Sequence, residues 1–476
     1  VTSNTGVALK SSDETDGSNA LFYTSDMQVY PSIQISYQDC KGLESKWSYH
    51  SKSAGNTSVA VNDYNGNLVV SHADLADNNL RMPYSISHVY NSARAMCEYS
   101  GNNMEFGVPG TGMQTGYGWQ LSLQQCISAV TDTSIAAQYP YVYLDADGTQ
   151  HYLKKLEIEG STDNIWGDDE GLNLTMTECT YNDKQYWVLD DISGNRLIFN
   201  QSNGFLIYAA DNNINSSVPL IERTNYIYIQ YFGNMPLFIW NPEGDQLVKF
   251  LYDSNNYLTA IEDKDGRETA FTYSDNHQLI GITYPDGTQT NYTYLANGKL
   301  RSATAPGGLK IQLSYNEAKR VSRLETFGTS GQNTVAGSAV EFDYTVGNHT
   351  TFTYEYDGQE QSKEYSQFDN QGRVVSTVDG EGRISGLAYT QGNGKDNNRV
   401  TSSNTSQTYV NNLLINHNIE SSGGWTGERW GGTGGSWKMD YMQQYMGYFS
   451  LNVSQAAVNG EAPSLVGYRQ SVNVGA

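Results

Sequence analysis

The sequence is poor in the residues that most often carry chemistry. Its 476 residues include only 4 cysteines, 7 histidines and 10 prolines. The cysteines, Cys40, Cys97, Cys126 and Cys179, are far apart and form no Cys-x-x-Cys pair, which disfavours a zinc or dithiol site among them. Disulfide bonds and half-buried thiols are both compatible with this spacing, and sequence alone selects no pairing.

Positive charge is also scarce. The chain has 28 Lys and Arg residues against 51 Asp and Glu residues, which gives a net charge of −23. Because nucleic acids and anionic membranes attract Lys and Arg, neither is expected as a partner. No apolar run approaches the roughly 18 residues of a membrane span. Val1 is not followed by a signal-peptide pattern, which suggests a mature or internal piece of a longer protein.

Motifs of known enzyme classes are missing as well. The chain has neither the His-Glu-x-x-His pattern of zinc proteases nor the Gly-x-Ser-x-Gly elbow of serine hydrolases. The glycine-rich stretch over residues 107–119 has the wrong spacing for a phosphate loop and is typical of a structural turn. His88 alternates with apolar neighbours, which favours packing in a strand. We therefore expect no enzymatic activity from this chain.

The acidic clusters have structural interpretations. The stretch Asp168–Glu170 consists of adjacent acids, which is typical of a solvated loop rather than of the opposed carboxylates of a glycosidase. Asp263 and Asp265 lie in an Asp-Lys-Asp-Gly turn, and Asp147 in an Asp-Ala-Asp-Gly turn, without the further ligands of a calcium loop. No cofactor is expected, and calcium at these turns is a minor alternative.

Tyrosine and glycine, in contrast, are abundant, with 36 and 47 residues. Between residues 250 and 321 they recur with a period of 21 residues, which is typical of stacked supersecondary units. The periodic tyrosines are Tyr252, Tyr273, Tyr294 and Tyr315, the aliphatic residues six positions later are Leu258, Leu279, Leu300 and Val321, and the periodic glycines are Gly266, Gly287 and Gly308.

Each unit is predicted to be a β-hairpin. Segments such as Thr269–Tyr273 alternate aromatic with small or polar residues, which is the period of a half-buried strand, and Asp-Gly turns separate them. Because one hairpin cannot bury its apolar face alone, neighbouring hairpins must stack. The pattern continues at Phe368, Gly382 and Tyr389. The sequence thus predicts an all-β fold of stacked hairpins that form a curved sheet or partial shell, and we expect this sheet to stay open.

The Tyr252-Asp253 pair, the "DGRETAFTY" and "EGRISGLAY" segments and the 21-residue step resemble the YD-repeat (Rhs) family over roughly residues 140–400. Only the first regular unit keeps Tyr-Asp. The resemblance implies a hollow β-shell of coiled hairpins. Bacterial members of the family commonly carry a variable C-terminal toxin that the shell encloses, and the animal relatives, the teneurins, use the shell in adhesion.

The flanking segments resemble those beside such repeats in secreted, wall-associated proteins of Gram-positive bacteria. By this resemblance, residues 1–40 hold the last strands of a β-sandwich domain, and residues 41–135 lead into the repeats. Residues 136–408 form the YD-repeat sheet, and residues 409–476 form a truncated, carbohydrate-binding-like jelly roll. Trp425, Trp430 and Trp437 in this last segment are the candidate residues for stacking on sugar rings.

The function implied by the resemblance is that of a non-catalytic shell or scaffold within a large secreted, cell-wall-associated protein. Its expected partner is a toxin-like C-terminal cargo of the same protein. The alternative is an adhesin that binds cell-wall or host polysaccharide through the terminal modules. A glycoside hydrolase is a weaker alternative.

Overall fold

A computed structural model describes residues 42–77, 82–93, 112–157, 164–213, 225–330, 333–344, 348–390 and 398–406, and the backbone of four short strands between residues 426 and 469. In these residues nearly all of the regular secondary structure is β-strand, so the predicted all-β fold is confirmed. None of the helices in this part of the chain is long and apolar enough to cross a membrane. The sandwich strands predicted in residues 1–40 lie outside the described residues.

The first sheet is a five-stranded antiparallel meander in the order β1-β2-β3-β4-β5. Its strands are β1 (Tyr49–Ala54), β2 (Thr57–Asn62), β3 (Leu68–Asp77), β4 (Tyr84–Asn91) and β5 (Trp119–Leu121). Alternate residues of β2 and β3, such as Val59, Val61, Leu68 and Val70, are fully buried. His88 lies in β4 and is also fully buried, in agreement with the packing expected for it.

The second sheet runs from β6 to β29, and each strand pairs antiparallel with the next one along the chain. Its strands are β6 (Cys126–Ala129), β7 (Tyr141–Leu144), β8 (Gln150–Leu156), β9 (Ile165–Gly167), β10 (Thr175–Tyr181), β11 (Lys184–Asp190), β12 (Arg196–Asn200), β13 (Leu206–Ala210), β14 (Tyr226–Phe232), β15 (Met235–Trp240), β16 (Gln246–Tyr252), β17 (Leu258–Asp263), β18 (Glu268–Tyr273), β19 (Leu279–Thr283), β20 (Gln289–Tyr294), β21 (Leu300–Thr304), β22 (Lys310–Tyr315), β23 (Val321–Ser330), β24 (Asn333–Asp343), β25 (His349–Tyr356), β26 (Gln359–Phe368), β27 (Val374–Val378), β28 (Ile384–Tyr389) and β29 (Val400–Ser406). A short helix α1 (Thr133–Ala136) follows β6, and a 3-10 turn (Pro306–Gly308) follows β21.

The hairpins repeat one geometry in the regular block, residues 250–321. Each periodic tyrosine pairs, next to a β-bulge, with the aliphatic residue six positions later; the pairs are Tyr252–Leu258, Tyr273–Leu279, Tyr294–Leu300 and Tyr315–Val321. The periodic glycines adopt positive φ angles, 77° at Gly266, 81° at Gly287 and 87° at Gly308. A Cβ atom at Gly266 or Gly287 would meet nothing within 4 Å, so the left-handed backbone rather than space selects glycine there.

The second sheet closes on itself instead of remaining open. Cys126 of β6 forms an antiparallel bridge with Phe205, just before β13. The Ile127 amide donates to the Gly204 carbonyl at 3.0 Å, and Gly204 lies so close that a Cβ atom there would be 2.2 Å from the Ile127 oxygen. The expectation of an open sheet is therefore wrong. It considered the regular units alone, whereas the irregular strands β6–β13 supply the closure.

The first sheet packs against the face of the second sheet that carries the periodic aliphatic residues. One apolar core joins both, with Tyr90 and Trp119 from the first sheet and Phe271, Leu279 and Leu300 from the second. Because the two apolar faces cover each other, neither is left in water.

Four further strands lie near the end of the described chain. They are β30 (Thr426–Trp430), β31 (Ser436–Asp440), β32 (Ser450–Ser454) and β33 (Leu465–Arg469), and they pair antiparallel as β30-β33 and β31-β32. The division of the chain at residues 40, 135 and 408 stays a prediction, as does the jelly roll.

Candidate functional site

The covered face of the second sheet carries a regular ladder of tyrosine hydroxyl groups. Each periodic tyrosine donates a hydrogen bond to a backbone carbonyl of the preceding hairpin. The pairs are Tyr252 with Pro236, Tyr273 with Leu258, Tyr294 with Leu279, Tyr315 with Leu300 and Tyr389 with Val374, at 2.6, 2.8, 2.5, 2.7 and 2.8 Å. A phenol can bury its ring and still satisfy its hydroxyl, which explains why tyrosine rather than phenylalanine recurs at this position.

Burial raises the pKa values of these tyrosines. Burial is the largest cause for Tyr273, Tyr294 and Tyr315, and their pKa values rise well above the usual value. For Tyr273, nearby anionic groups such as Asp74 act in the same direction. The ladder is therefore neutral at physiological pH and serves packing rather than proton transfer.

The first sheet is tied to this ladder by side-chain hydrogen bonds. Trp119 Nε1 donates to Tyr294 Oη at 2.9 Å, and the Leu300 amide donates to Tyr90 Oη at 3.2 Å. Thr57 Oγ1 and Tyr292 Oη share a further hydrogen bond at 3.2 Å. Aromatic and hydroxyl groups thus fix the position of the first sheet on the face that it covers.

The glycine-rich stretch joins the same surface. Gln114 bridges to Tyr257 in parallel, and the Tyr117 amide donates to the His277 carbonyl at 2.8 Å. Gly116 has a φ of 94°, and a Cβ atom there would come within 3.0–3.2 Å of Leu279 and Tyr273. From residue 112 onward this stretch runs along the turns of the repeats; residues 107–111 lie outside the described part.

A buried carboxylate joins two histidines within the first sheet. Asp74 Oδ1 lies 2.8 Å from His72 Nδ1, and Asp74 Oδ2 lies 2.7 Å from His88 Nδ1. His72 Nε2 continues the chain to Tyr284 Oη at 2.7 Å. Burial alone would raise the pKa of Asp74, but His88 and His72 outweigh burial and hold the pKa below its usual value. This group cross-links the two sheets through the Tyr284 hydroxyl.

The Asp-Gly turns use their acids to hold the backbone. Asp263 Oδ1 accepts from the amides of Asp265 and Arg267 at 2.9 Å each, and its Oδ2 accepts from Arg267 Nε at 2.7 Å. The same Asp-x-x-Gly-Arg arrangement recurs at Asp369 and Asp379. These contacts occupy the Asp263 carboxylate, which fits the turn chemistry expected for it.

A groove of about 480 Å³ lies over β22–β26. Ser314, Thr351 and Lys363 are among its lining residues. At its centre Arg323 contacts three carboxylates, those of Glu325, Glu341 and Glu355, at 2.6, 2.7 and 2.8 Å. Glu341 is therefore engaged in an ion pair and is not poised as an acid or base.

The acidic stretch Asp168–Glu170 is not the solvated loop that we expected. Asp168 is only 6% exposed, and it accepts from the amides of Glu170, Leu172 and Leu174 at 3.1, 2.8 and 2.6 Å. Asp169 pairs with Lys154 at 3.2 Å, and Glu170 pairs with Lys46 at 3.3 Å. The prediction was wrong because the backbone of residues 170–174 folds around the Asp168 carboxylate, and because Asp169 and Glu170 pair with lysines of other segments.

Glu170 also faces a buried cluster that the sequence did not reveal. We call Glu44, Asp145, His151 and Glu170 the seam cluster. Glu44 precedes β1, Asp145 and His151 flank the β7–β8 turn, and Glu170 lies between β9 and β10. His151 Nε2 is 3.3 Å from Asp145 Oδ2 and 3.5 Å from Glu44 Oε1, and its Nδ1 is 3.5 Å from Glu170 Oε2.

Electrostatics in the seam cluster reflect burial and crowding. Burial raises the pKa of Glu44 to about 7, although His151 and Lys46 oppose the rise. Burial would lower the pKa of His151, but Asp145, Glu170 and Glu44 reverse the effect and raise it to about 10. Asp147, beside the cluster, has its pKa raised to about 7 by burial and by Asp145. The acids and the histidine of the cluster come from three separate segments of the chain, so no sequence motif marks them.

The candidate sugar-binding residues are only partly placed. Trp430 ends β30 and Trp437 lies in β31, whereas Trp425 is outside the described residues. Cys126 is buried and Cys179 is half-buried, while Cys40 and Cys97 are outside the described residues, so the pairing of the four stays open. The periodic tyrosines and aliphatic residues lie together on the covered face, whereas Gly266 and Gly287 lie in exposed turns. Phe368, Gly382 and Tyr389 extend the same pattern to β26–β28.

The arrangement of sequential hairpins with a repeating tyrosine invites comparison with known proteins. Residues 188–418 match the family model of the teneurin YD-shell. From β11 onward the second sheet is thus similar to the YD-shell family, in agreement with the resemblance seen in the repeats. No curated protein sequence matches the chain significantly.

Solved structures are similar at low identity. The TcdB2-TccC3 complex without its hypervariable C-terminal region is 11% identical, with a TM-score of 0.31; the match covers 76% of this chain and 20% of that one. A porin-like protein from Bacteroides uniformis is 11% identical over 63% of this chain and 96% of its own, with a TM-score of 0.21. The N-terminal domain of the effector SpvB from Salmonella typhimurium is 12% identical over 70% and 97%, with a TM-score of 0.20. This chain spans about a fifth of the length of the first of these structures.

Proposed function

We propose that this chain is a non-catalytic shell segment of a larger secreted, cell-wall-associated protein, and that its YD-shell sheet is a scaffold that holds polypeptide against its covered face. The observation that carries the proposal is the packing of the first sheet on that face. Here the apolar stripe of the repeats already shields another part of the same chain from water. A toxin-like C-terminal cargo of the whole protein is the proposed occupant of the part of this face that the first sheet does not cover.

The chemistry of the covered face supports a holding role. The ladder hydroxyls are satisfied within the sheet, and the aliphatic residues beside them belong to one apolar core, so much of the surface offered to a partner is apolar. Nonspecific apolar burial suits a partner held in an incompletely folded state, because such a chain exposes its own apolar residues.

Protease protection tests this proposal. An incompletely folded reporter is appended after Ala476, and a site-specific cleavage sequence is placed between the two. Digestion of the reporter by a nonspecific protease is then compared before and after cleavage at that sequence releases it. We expect the attached reporter to be digested at least about ten-fold more slowly than the released one, because the folded scaffold suppresses access. Equal digestion rates, with the sheet itself intact, would contradict a scaffold role.

A second candidate, glycan binding, rests on the three tryptophans of the glycine-rich segment at residues 423–437. The measurement is a pull-down on purified Gram-positive peptidoglycan and on plant and host polysaccharides. We expect saturable binding that is lost in the Trp430→Ala, Trp437→Ala double variant, whereas Trp240→Ala in β15 should bind normally. Absence of binding to every polysaccharide would leave the scaffold role alone.

A further inference from the structure

We propose that Glu44, Asp145 and His151 form a binding site for one divalent transition-metal ion of the zinc class, and that this ion fastens the seam between the segment that precedes β1 and the start of the second sheet. The proposal rests on the geometry of the seam cluster and goes beyond the scaffold role.

The ligand atoms have the spacing of a metal site. One nitrogen or oxygen atom from each of Glu44, Asp145 and His151 lies within 4.8 Å of the other two. Ligands about 2.0–2.1 Å from a tetrahedral zinc ion are about 3.3 Å apart from one another. The separations of 3.3 and 3.5 Å from His151 Nε2 to the two carboxylates are close to this value.

The other nitrogen of His151 provides an independent indication. His151 is only 2% exposed, and its Nδ1 makes no hydrogen bond of acceptable geometry among the described residues. It faces Glu170 Oε2 at 3.5 Å. Metal-bound histidines generally donate their second ring N–H to a carboxylate, which fixes the tautomer and the ring orientation. With a metal ion on Nε2, His151 would carry its proton on Nδ1, toward Glu170.

The charge of the cluster also suits a cation. Glu44 is 6% exposed, and Asp147 and Glu170 add carboxylates within the same small volume, whereas Lys46 supplies the nearby ammonium group at 3.3 Å from Glu170. Because several buried carboxylates repel one another, a bound dication would relieve the repulsion. The imidazole ligand favours zinc or a similar transition metal over calcium, which prefers oxygen ligands alone.

The position of the site suggests what the ion would do. The segment with Glu44 is also anchored by Leu43, whose amide donates to Asp147 Oδ2 at 2.9 Å, and by Trp47, whose Nε1 donates to the Gln371 carbonyl at 2.9 Å. The Glu170 backbone carbonyl accepts from Asn398, near β29. The site therefore lies where the beginning and the end of the second sheet approach the segment before β1, and an ion there would hold the three together.

Metal titration of the full chain tests the proposal. The protein is stripped with a chelator, and zinc is titrated in competition with a chromophoric chelator; cobalt is added in a parallel sample for its visible spectrum. We expect about one equivalent of zinc per chain and tetrahedral cobalt bands without a thiolate charge-transfer band. Binding should be lost in Glu44→Gln and His151→Gln, and weakened about 10–100-fold in Glu170→Gln, which acts through His151.

The matched controls are Glu360→Gln and His349→Gln, which lie on β26 and β25 and should bind zinc like the unmodified chain. Folding is checked without metal by circular dichroism and thermal melting. Since Glu44→Gln removes a buried charge, the zinc-free variant should be at least as stable as the zinc-free parent. Added zinc should not raise the melting temperature of the variant. In the parent, zinc at about 100 times the Kd should lower the unfolding equilibrium constant about 100-fold.

Two results would overturn the proposal. One is failure of the stripped, folded chain to bind zinc or cobalt at micromolar concentration. The other is binding that shows the thiolate band or persists in both Glu44→Gln and His151→Gln, because the ligands would then be cysteines or surface groups.

Discussion

The regular block and the seam cluster bury polar groups in opposite ways. In the block, each tyrosine hydroxyl finds its partner on the adjacent hairpin, and the same bond recurs from unit to unit. In the seam cluster, Glu44 comes from a segment that is distant along the chain from the hairpin with Asp145 and His151, and the contact occurs once. The block is thus assembled from near neighbours, while the seam cluster exists only when the segment before β1 packs against the start of the second sheet.

This difference separates two sources of stability: contacts that recur in every hairpin, and contacts that form once where distant segments meet. Repeats gain energy from each neighbouring pair, so the loss of one hydrogen bond in the ladder should be small and similar in every unit. The contacts between the first sheet and the repeats occur only once, so a substitution there should lower the free energy of unfolding by more.

Alkaline pH should unfold the chain through the regular block. The pKa values of Tyr273, Tyr294 and Tyr315 are raised in the folded state above their unfolded value of about 10. Their contribution to stability is therefore complete below about pH 10 and is lost as pH rises through the folded pKa values. Tyrosinate absorbance and tryptophan fluorescence should change together above about pH 10. If the phenols ionise near pH 10 while the sheet stays folded, the ladder is more open to water than described.

Trp119→Ala should be the most destabilising single substitution at the junction of the two sheets. Trp119 is 1% exposed, contacts Tyr90 and Tyr292, and donates to Tyr294. Its truncation should cost about 3–5 kcal/mol in the free energy of unfolding measured with guanidinium chloride. Phe232→Ala, at a side chain that is 73% exposed, is the control and should change stability by less than about 0.5 kcal/mol. Similar costs at both positions would mean that the first sheet does not cover the repeats.

The sequence predicts the regular block because its signals are local. The 21-residue period, the Tyr–Leu pairs and the glycine turns all depend on contacts within or between adjacent hairpins. The seam could not be predicted, since Leu43 and Asp147, for example, are 104 residues apart and no pattern links them. The same limit explains the expected open sheet, because the closing bridge joins Cys126 and Phe205. The expected solvation of Asp168 was a different error, since its carboxylate accepts from the nearby amides of Glu170, Leu172 and Leu174.

Two aspartates in one turn should differ. Asp263 accepts from two backbone amides and Arg267, so Asp263→Ala should cost about 1–3 kcal/mol. Asp265 is exposed and contacts only the Arg267 guanidinium, at 3.3 Å, among the contacts described, so Asp265→Ala should cost less than about 1 kcal/mol. Urea unfolding of both variants compares the two positions. Equal losses would show that the turn is held by charge rather than by hydrogen bonds to the backbone.

The smallest effect should come from single hydroxyl groups of the ladder. Tyr273→Phe and Tyr315→Phe each remove one donor to a carbonyl and keep the ring, so each should cost about 0.5–1.5 kcal/mol. Because Tyr273 and Tyr315 belong to different hairpins and their hydroxyls share no partner, the double variant should lose close to the sum of the two. Tyr356→Phe, at a side chain that is 63% exposed, is the control and should be neutral.

Urea unfolding of the parent, the two single variants and the double variant measures this additivity. A double variant that loses much more than the sum would mean that the hydroxyls act as one cooperative network along the sheet. The regular block would then resemble the seam, in which removal of one group affects all the others. Additive losses would instead mean that the hairpins of the block contribute almost independently to stability. The cooperativity of unfolding would then come from the first sheet and from closure of the second sheet.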